Sequence, residues 1–259
     1  MNPILERAVY GLTYGIVEFL PVAASAHLYA LGRYFDHPKI VPLVMAPLGM
    51  GAFLAVSIFL LFNKSYTLAV IDEFSTTSKP KIDFLYFLAA SLIPVGVVFG
   101  LFMKPVLDRV YTHLEIGVIT LVFTLSFFFF ITGVKKTTLT FNFKSGLMLG
   151  LFQCFQIIPG AGRQSLVFSY LWWKGVSDKK AVIVSVMTLF PLLLGNAIFS
   201  TLKGLPLMSY SEYFIGVGVC TFSGVVGLSL LKHFFSEKLM LCLGVYRLVL
   251  VVFIFFFLK

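Results

Sequence analysis

Two short stretches of this chain carry side chains that suit phosphate or proton chemistry. The first is EFLPVAASAH, which contains Glu18, Ser25 and His27, and the second is IIPGAGRQS, which contains Arg163. A carboxylate can hold a divalent metal or accept a proton, and an imidazole can carry a proton near neutral pH. A guanidinium can grip phosphate oxygens through two parallel hydrogen bonds. Together these residues predict a site for a phosphate or diphosphate group.

The rest of the chain makes these polar side chains unusual. Hydrophobic residues account for 59% of the sequence and charged residues for 12%, and the mean hydropathy is +0.98. Soluble domains contain roughly 45–50% apolar and about 25% charged residues. The composition therefore predicts a polytopic membrane protein. An ionisable side chain near mid-bilayer costs at least about 2.5–3.5 kcal/mol and needs a partner, a water-filled cavity or a function.

The buried charges allow two interpretations. In the first, Glu18 is a metal ligand or a base, His27 carries a proton and Arg163 clamps phosphate. In the second, Glu18 and Arg163 only neutralise each other, and the cost of burying them favours the first interpretation. Arg247, in GVYRLVL, is interpreted as a structural cation that pairs with a carbonyl or reaches the membrane surface, with a second anion contact as the alternative.

The net charge of +9 indicates which partners to expect. The basic residues are spread over short loops between apolar segments, and the sequence has no basic arm or patch of mixed basic and aromatic residues. This distribution is typical of contact with lipid head groups. We therefore expect the bilayer as a partner and no nucleic acid.

The elements that must position the site are membrane helices. Six apolar stretches are long enough to cross a bilayer core, which needs about 20 helical residues; they are 41–63, 83–103, 114–135, 180–202, 211–231 and 237–258. Two further stretches, 8–33 and 144–174, are interrupted by Pro21 and by the Pro159-Gly160-Ala161-Gly162 run. Proline removes a backbone donor and glycine permits turns, so each is predicted to be a re-entrant hairpin of two half-helices.

The chain also contains an internal repeat. GLTYGIVEFL, from Gly11 to Leu20, matches GLMLGLFQCF, from Gly146 to Phe155, at an offset of 135 residues. The sequence thus predicts one membrane domain, 1–259, made of repeats 1–135 and 140–259. If each repeat crosses the membrane three times, the second repeat has the opposite orientation in the membrane to the first. The predicted fold class is an all-α polytopic membrane protein with an inverted-topology repeat, six transmembrane helices and two re-entrant hairpins, whose site lies between the hairpins.

Several uncharged polar residues near the breaks have two interpretations. Ser25 and Ser165 lie at the starts of the second half-helices, where serine is a favoured N-cap, so capping and participation in chemistry are both open. Gln153 and Gln156 lie on the second broken segment. They either satisfy the backbone groups freed by the break or contact substrate.

At the level of motifs, EFLPVAASAHL followed by IIPGAGRQS resembles the undecaprenyl-diphosphate phosphatase family, the bacitracin-resistance family. That family pairs an E-x-x-x-E-F-L-P-V-S-S-x-x-H segment with a P-G-x-S-R-S-G-x-T segment. The likeness continues through PLGMGAFLAV, SLIPVGVVFGLF, LFPLLLGN and the final VYR, and so covers nearly the whole chain. The resemblance implies a multi-pass phosphatase of the bacterial inner membrane, which hydrolyses undecaprenyl diphosphate to the monophosphate and phosphate. It recycles the lipid carrier of peptidoglycan synthesis and depends on a divalent cation, Mg²⁺ or Ca²⁺.

The resemblance assigns roles to individual residues. The second motif glutamate falls on Glu18, the histidine on His27 and the arginine on Arg163. The proline-glycine turn falls on Pro159 and Gly160. Glu18 is thereby implied as a metal ligand and catalytic group, His27 as a catalytic proton carrier, and Arg163 and Gly160 as contacts to the substrate.

Several positions depart from the family pattern. The first motif glutamate falls on Tyr14, and the two motif serines fall on Ala23 and Ala24. A phenol can bind phosphate but is a poor ligand for hard divalent cations, so metal dependence is expected to weaken. Ser25 is then the nearest replacement nucleophile. In the second motif, S-R-S-G-x-T becomes Gly162-Arg163-Gln164-Ser165-Leu166-Val167, which leaves Gln164 and Ser165, with Tyr14, as expected substrate contacts.

These departures leave two functions open, of which the sequence favours the first. The first is a polyprenyl-diphosphate phosphatase with a modified site. The second is a catalytically degenerate homologue that binds or translocates a polyprenyl phosphate or another anionic lipid. The sequence is compatible with a monomer or a homodimer.

Overall fold

The computed structural model describes residues 3–35, 41–108, 111–133, 138–205 and 208–257. These residues form eleven α-helices and one short 3₁₀ helix, and none of them is in a β-strand. In the first half the helices are α1 (Pro3–Val17), α2 (Ala24–Tyr34), α3 (Val41–Phe62), α4 (Lys64–Phe74), α5 (Pro80–Asp108) and α6 (His113–Thr132). In the second half they are α7 (Phe143–Cys154), α8 (Arg163–Trp173), α9 (Lys179–Gly204), α10 (Tyr210–Phe234) and α11 (Glu237–Phe257).

Six of these helices are long and apolar enough to cross a membrane, and they lie where the sequence predicts spans. The candidate spans are Met45–Phe62, Pro80–Phe102, His113–Thr132, Lys179–Gly204, Tyr210–Phe234 and Glu237–Phe257. The predicted ends at residues 135 and 258 lie outside the described residues. The prediction of an all-α polytopic membrane protein is confirmed.

Both interrupted stretches contain two short helices. Residues 18–23, which include Pro21, separate α1 from α2. Between α7 and α8 lie the 3₁₀ helix Phe155–Ile157 and the turn that ends at Gly162. At a rise of 1.5 Å per residue, α1 is about 22 Å long and α2 about 16 Å, shorter than the roughly 30 Å hydrocarbon core. These lengths support the re-entrant hairpins, which stay a prediction.

The glycines of the internal repeat allow the first helix of each half to pack closely on the other half. On α1, which packs against α10, a Cβ on Gly15 would lie 2.0 Å from the Ser223 hydroxyl oxygen and 2.5 Å from the Cys220 carbonyl oxygen. On α7, which packs against α5, a Cβ on Gly146 would lie 2.1 Å from the Phe87 carbonyl oxygen. Small residues let membrane helices approach closely, and here the same pattern does so twice.

Two further helix pairs have the symmetry expected of a duplicated chain. Helix α3 packs against α9, and α6 packs against α11. Each of these pairs joins an element to its counterpart in the other repeat. As a result, the two interrupted segments lie inside a single bundle and can contribute to a common site.

Candidate functional site

The ends of the two interrupted segments meet through an ion pair. Glu18 follows the last residue of α1, and Arg163 is the first residue of α8. The Arg163 Nη1 lies 3.0 Å from the Glu18 Oε1, and the Glu18 side chain is only 4% exposed. The Tyr14 hydroxyl, one helical turn before Glu18, lies beside its carboxylate. The structure thus brings together three of the residues that the sequence singles out.

The ion pair leaves donors unused. Among the described residues, the buried Nε and Nη1 of Arg163 and the Oε1 of Glu18 have no hydrogen-bond partner, because the ionic contact is not aligned as a hydrogen bond. An unsatisfied buried donor costs roughly 1–3 kcal/mol, and more when the group is charged. Arg163 can therefore gain hydrogen bonds when an anion with several oxygens enters.

The turn before α8 supplies a second feature that suits an anion. Helix α8 begins after Gly162 without a side-chain cap. The backbone N–H groups of a helix's first turn have no partner within the helix, and they carry the positive end of its dipole. Gly160 and Gly162 have φ of 93° and 80°, the left-handed region that favours glycine. Arg163 therefore stands at a helix start built to face negative charge.

Gly162 also explains one departure from the family motif, which has serine at this position. A Cβ there would lie 2.8 Å from the Ser165 Oγ and 3.1 Å from the Arg247 Nη1. With the backbone at positive φ and these polar atoms so close, glycine is the residue that fits.

Ser25 joins the two interrupted segments. Its Oγ accepts a hydrogen bond of 2.8 Å from the backbone N–H of Gly160. The N-cap of α2 is Ala23, without a side-chain hydrogen bond, so the capping interpretation of Ser25 is wrong. The N-cap preference is overridden because the Ser25 side chain bonds across to the other half of the chain.

Ser165 does not cap α8 either. Its hydroxyl donates towards the carbonyl oxygens of Gly162, at 2.7 Å, and Ala161, at 3.0 Å. It accepts a hydrogen bond of 2.5 Å from Arg247 Nη1. The capping interpretation is wrong here too, because the N-cap residue of α8 is Gly162. Ser165 holds the turn in place with its hydroxyl already engaged.

His27 makes hydrogen bonds through both ring nitrogens. Its Nδ1 lies 2.8 Å from the Ala23 carbonyl oxygen, and its Nε2 lies 2.7 Å from the Tyr246 hydroxyl. A carbonyl oxygen only accepts, so Nδ1 donates to it; in the neutral ring the Tyr246 hydroxyl then donates to Nε2, and in the protonated ring Nε2 donates to the hydroxyl. The two rings also stack, with centroids 5.6 Å apart. A proton that leaves or reaches Nε2 must therefore pass the Tyr246 hydroxyl.

Arg247 lies next to Tyr246 on α11 and is fully buried. Its Nε donates to the Thr124 hydroxyl at 2.9 Å, and its Nη2 approaches the carbonyl oxygens of Ala161, at 3.1 Å, and Gly160, at 3.4 Å. Consecutive residues of α11 thus hold the first interrupted segment through His27 and the second through the turn before α8.

Tyr246 and Thr124 were missed by the sequence reasoning. The signal that could have found Tyr246 is the VYR motif, in which a phenol and a guanidinium stand side by side in an apolar helix. Thr124 carries no such signal, because it lies in a run of hydrophobic residues on α6.

Two glutamines have buried amide groups with no partner. Both amide atoms of Gln153 and of Gln164 are buried and unpaired among the described residues. The interpretation that Gln153 satisfies backbone groups freed by the break is therefore wrong. Gln164 directly follows Arg163, where its amide can add a hydrogen bond to an anion held at the start of α8.

The residues present do not fit the divalent cation that the resemblance implies. In the part of the chain that the structure describes, no group of three or more His, Cys, Asp or Glu side chains could hold a metal ion. Glu18 supplies a single carboxylate, already in contact with the Arg163 guanidinium and the Tyr14 hydroxyl. Mg²⁺ and Ca²⁺ need several oxygen ligands. The donor set therefore gives no basis for a metal-dependent step.

The chain is similar to known proteins over nearly its whole length. Residues 7–253 match the family model described as bacitracin resistance protein BacA. A curated undecaprenyl-diphosphatase from Methanococcus vannielii is 26% identical, with 98% of this chain and 100% of the relative covered. Relatives with the same name from Thermosipho africanus and Thermodesulfovibrio yellowstonii are 25% and 23% identical; the alignments cover 97% and 100% of this chain, and 99% and 100% of the relatives.

Proposed function

The chain belongs to the bacitracin resistance protein BacA family, and from that premise we propose that it is a membrane phosphatase that hydrolyses undecaprenyl diphosphate to undecaprenyl monophosphate and phosphate. The relatives named undecaprenyl-diphosphatase support hydrolysis over the alternative of a non-hydrolytic lipid-phosphate binder or transporter. Within this proposal the protein lies in the cytoplasmic membrane of a bacterium and recycles the lipid carrier for cell-wall synthesis.

One observation carries the proposal: the buried contact between Glu18 and Arg163 at the uncapped start of α8. A base and an anion clamp are placed side by side, and the clamp has buried donors without acceptors. Two features of the turn add to the binding of negative charge, namely the N–H groups of the first turn of α8 and the buried amide of Gln164.

The reaction follows from this placement. Arg163 and the start of α8 hold the terminal phosphate of the lipid diphosphate. Glu18 accepts a proton from a water molecule as the water oxygen bonds to the terminal phosphorus. The bond from that phosphorus to the bridging oxygen breaks, its electron pair stays on the monophosphate, and phosphate is released. Tyr14 lies beside the Glu18 carboxylate, and the leaving monophosphate takes back the proton that Glu18 accepted. His27 can supply this proton instead only when Nε2 is protonated and donates to the Tyr246 hydroxyl.

Ser25 is the alternative nucleophile. Its hydroxyl accepts the Gly160 N–H, which places it at the turn. However, Ser25 and His27 are two positions apart on α2 and point to different sides of the helix. The described contacts of Ser25 include no base, and we therefore propose water as the nucleophile and Ser25 as a tie between the segments.

The prenyl chain has a groove beside the turn. A groove of about 510 Å³ is lined by Tyr111, Leu114, Glu115, Val118, Ile119 and Ile158. Ile158 directly precedes Pro159, and a Cβ on Gly160 would lie 3.3 Å from the side chain of Ile119. The groove therefore borders the turn that holds the phosphate end.

A bulky substitution tests this placement of the chain. Val118→Trp should fill the groove and weaken binding of undecaprenyl diphosphate about tenfold, measured by competition against a radiolabelled lipid. Val122→Trp, one turn further along the exposed face of α6, is the matched control. Equal binding by both variants would remove the prenyl chain from this groove.

The function itself is tested by phosphate release from undecaprenyl diphosphate by the purified, detergent-solubilised protein. The proposal predicts release that continues over many turnovers and stops in the Arg163→Ala variant. Folded protein that binds the lipid without releasing phosphate would instead support the non-hydrolytic alternative. The mass of the solubilised particle, measured by light scattering, distinguishes a monomer from a homodimer.

A further inference from the structure

We propose that this site binds the lipid diphosphate without a divalent cation, because Arg163 and Arg247 together supply the positive charge. The identity of the ligand rests on the proposed function. The charges and ligands around Glu18 depart from the metal dependence that the family resemblance implies.

Arg247 is a buried cation without a carboxylate partner among the described residues. This guanidinium is fully buried, and its hydrogen bonds go to uncharged oxygens of Thr124, Ser165, Gly160 and Ala161. Among the described residues it has no ion pair with a carboxylate. A buried charge without a counterion is costly, and an anion that enters beside it removes that cost.

Arg247 lies close to the start of α8. Its Nη1 lies 3.1 Å from the point that a Cβ on Gly162 would occupy, so its charge adjoins the N-cap of α8. Arg163 follows at the next position and faces Glu18. Glu18 and Arg163 cancel each other in charge, so Arg247 leaves the site with a net positive charge. The partial positive charge of the α8 start adds to it.

The groups around Glu18 disfavour a bound cation. A cation bound to Glu18 would lie next to the Arg163 guanidinium, whose Nη1 is 3.0 Å from the carboxylate, and like charges at this distance repel strongly. The residue one helical turn before Glu18 is Tyr14, whose hydroxyl lies beside the same carboxylate. The second oxygen ligand of a two-carboxylate metal site is therefore replaced by a hydrogen-bond donor.

Metal binding by the protein alone gives the first test. Mn²⁺, used as a probe for Mg²⁺ and Ca²⁺, is titrated into the purified protein without lipid and followed by electron paramagnetic resonance. We expect no saturable binding below about 1 mM, the weak end of protein Ca²⁺ sites. The Tyr14→Glu variant, which places a second carboxylate one turn from Glu18, should gain a saturable site. Saturable binding of Mn²⁺ by the unaltered chain would overturn the proposal.

Binding of a short lipid diphosphate gives the second test. Farnesyl diphosphate should bind equally well, within about twofold, in EDTA and in excess Mg²⁺. Arg247→Gln should weaken this binding at least tenfold, whereas Arg33→Gln, which removes one charge from an exposed position, should leave it unchanged. Loss of binding in EDTA, or Arg247→Gln that folds and binds normally, would contradict the proposal. If Arg247→Gln does not fold, the EDTA comparison and the Tyr14→Glu titration still decide whether the site binds the lipid diphosphate without a metal ion.

The two proposals fail in different ways. Binding of farnesyl diphosphate in EDTA without release of phosphate would contradict the phosphatase and support the metal-free site. Release of phosphate only in the presence of Mg²⁺ or Ca²⁺ would support the phosphatase and contradict the metal-free site.

Discussion

The two interrupted segments share a way of packing and differ in their chemistry. At matching positions of the repeat, α1 is followed by the buried carboxylate of Glu18, whereas α7 carries the uncharged amide of Gln153. At the start of the second half-helix, α2 begins at an alanine and carries His27, whereas α8 begins at Arg163 after two glycines at positive φ.

This difference shows how a duplicated scaffold can build an asymmetric site. The first segment supplies the groups that move protons, and the second supplies the cation and the helix start that bind an anion. Helix α11 connects them, because Tyr246 contacts His27 while Arg247 contacts the turn before α8. Each half alone holds an incomplete site.

Loss of the cation in the second segment should have the largest effect. Arg163→Ala removes the group that contacts Glu18 and leaves that carboxylate buried without a countercharge. Removing one donor that stabilises transition-state charge costs roughly 10²–10³ in rate, and we expect phosphate release to fall by at least this factor. A rate within about tenfold of the unaltered chain would break the assignment of anion binding to this segment.

Alanine at the repeat glycines should sharpen the comparison, because packing is the feature that both halves share. Gly15→Ala and Gly146→Ala both place a Cβ within 2.1 Å of atoms of the facing helix, and should each lower stability. Overpacking typically costs about 1–3 kcal/mol, or more where backbone atoms cannot move. Thermal unfolding in detergent measures it. Gly218→Ala, which meets nothing within 4 Å, is the control that should not lower the midpoint. An effect in only one half would show that the halves pack differently.

The smallest predicted effect concerns the contact between α11 and the first segment. Tyr246→Phe removes the hydroxyl that donates to His27 Nε2 and keeps the aromatic ring stacked on the imidazole. A hydrogen bond contributes about 0.5–1.5 kcal/mol, which corresponds to a rate loss of up to about tenfold. Phosphate release should fall by this amount while farnesyl diphosphate binding stays unchanged. A variant that loses binding instead would place Tyr246 among the phosphate contacts.

Much of the fold follows from the sequence because the bilayer restricts the choices. Hydropathy predicts the six spans, and Pro21 with the Pro159–Gly162 run predicts the breaks, since local backbone chemistry decides both. Helix α4 was not predicted. Its eleven residues are too few to cross the membrane, and the sequence between the neighbouring spans is typical of a loop.

The site was predicted only in part, for a physical reason. The repeat and the cost of buried charge are enough to bring Glu18 and Arg163 together. The partners of the hydroxyl groups are not predictable in this way, because Ser25 and Gly160 are 135 residues apart, and His27 and Tyr246 are 219 residues apart. Such contacts depend on how the helices rotate in the bundle, which hydropathy and helix-cap preferences do not determine.

The central claim is that Glu18 and Arg163 take part in the reaction and do not merely neutralise each other. The double variant Glu18→Gln with Arg163→Gln tests this claim most directly. Replacing both partners of a buried ion pair by neutral groups is often harmless to stability, whereas removing one is strongly destabilising. We predict that the double variant unfolds at a temperature close to that of the unaltered chain, above that of Glu18→Gln alone, and releases no phosphate from undecaprenyl diphosphate. Phosphate release by the double variant at nearly the unaltered rate would contradict the claim and make the pair a structural neutralisation.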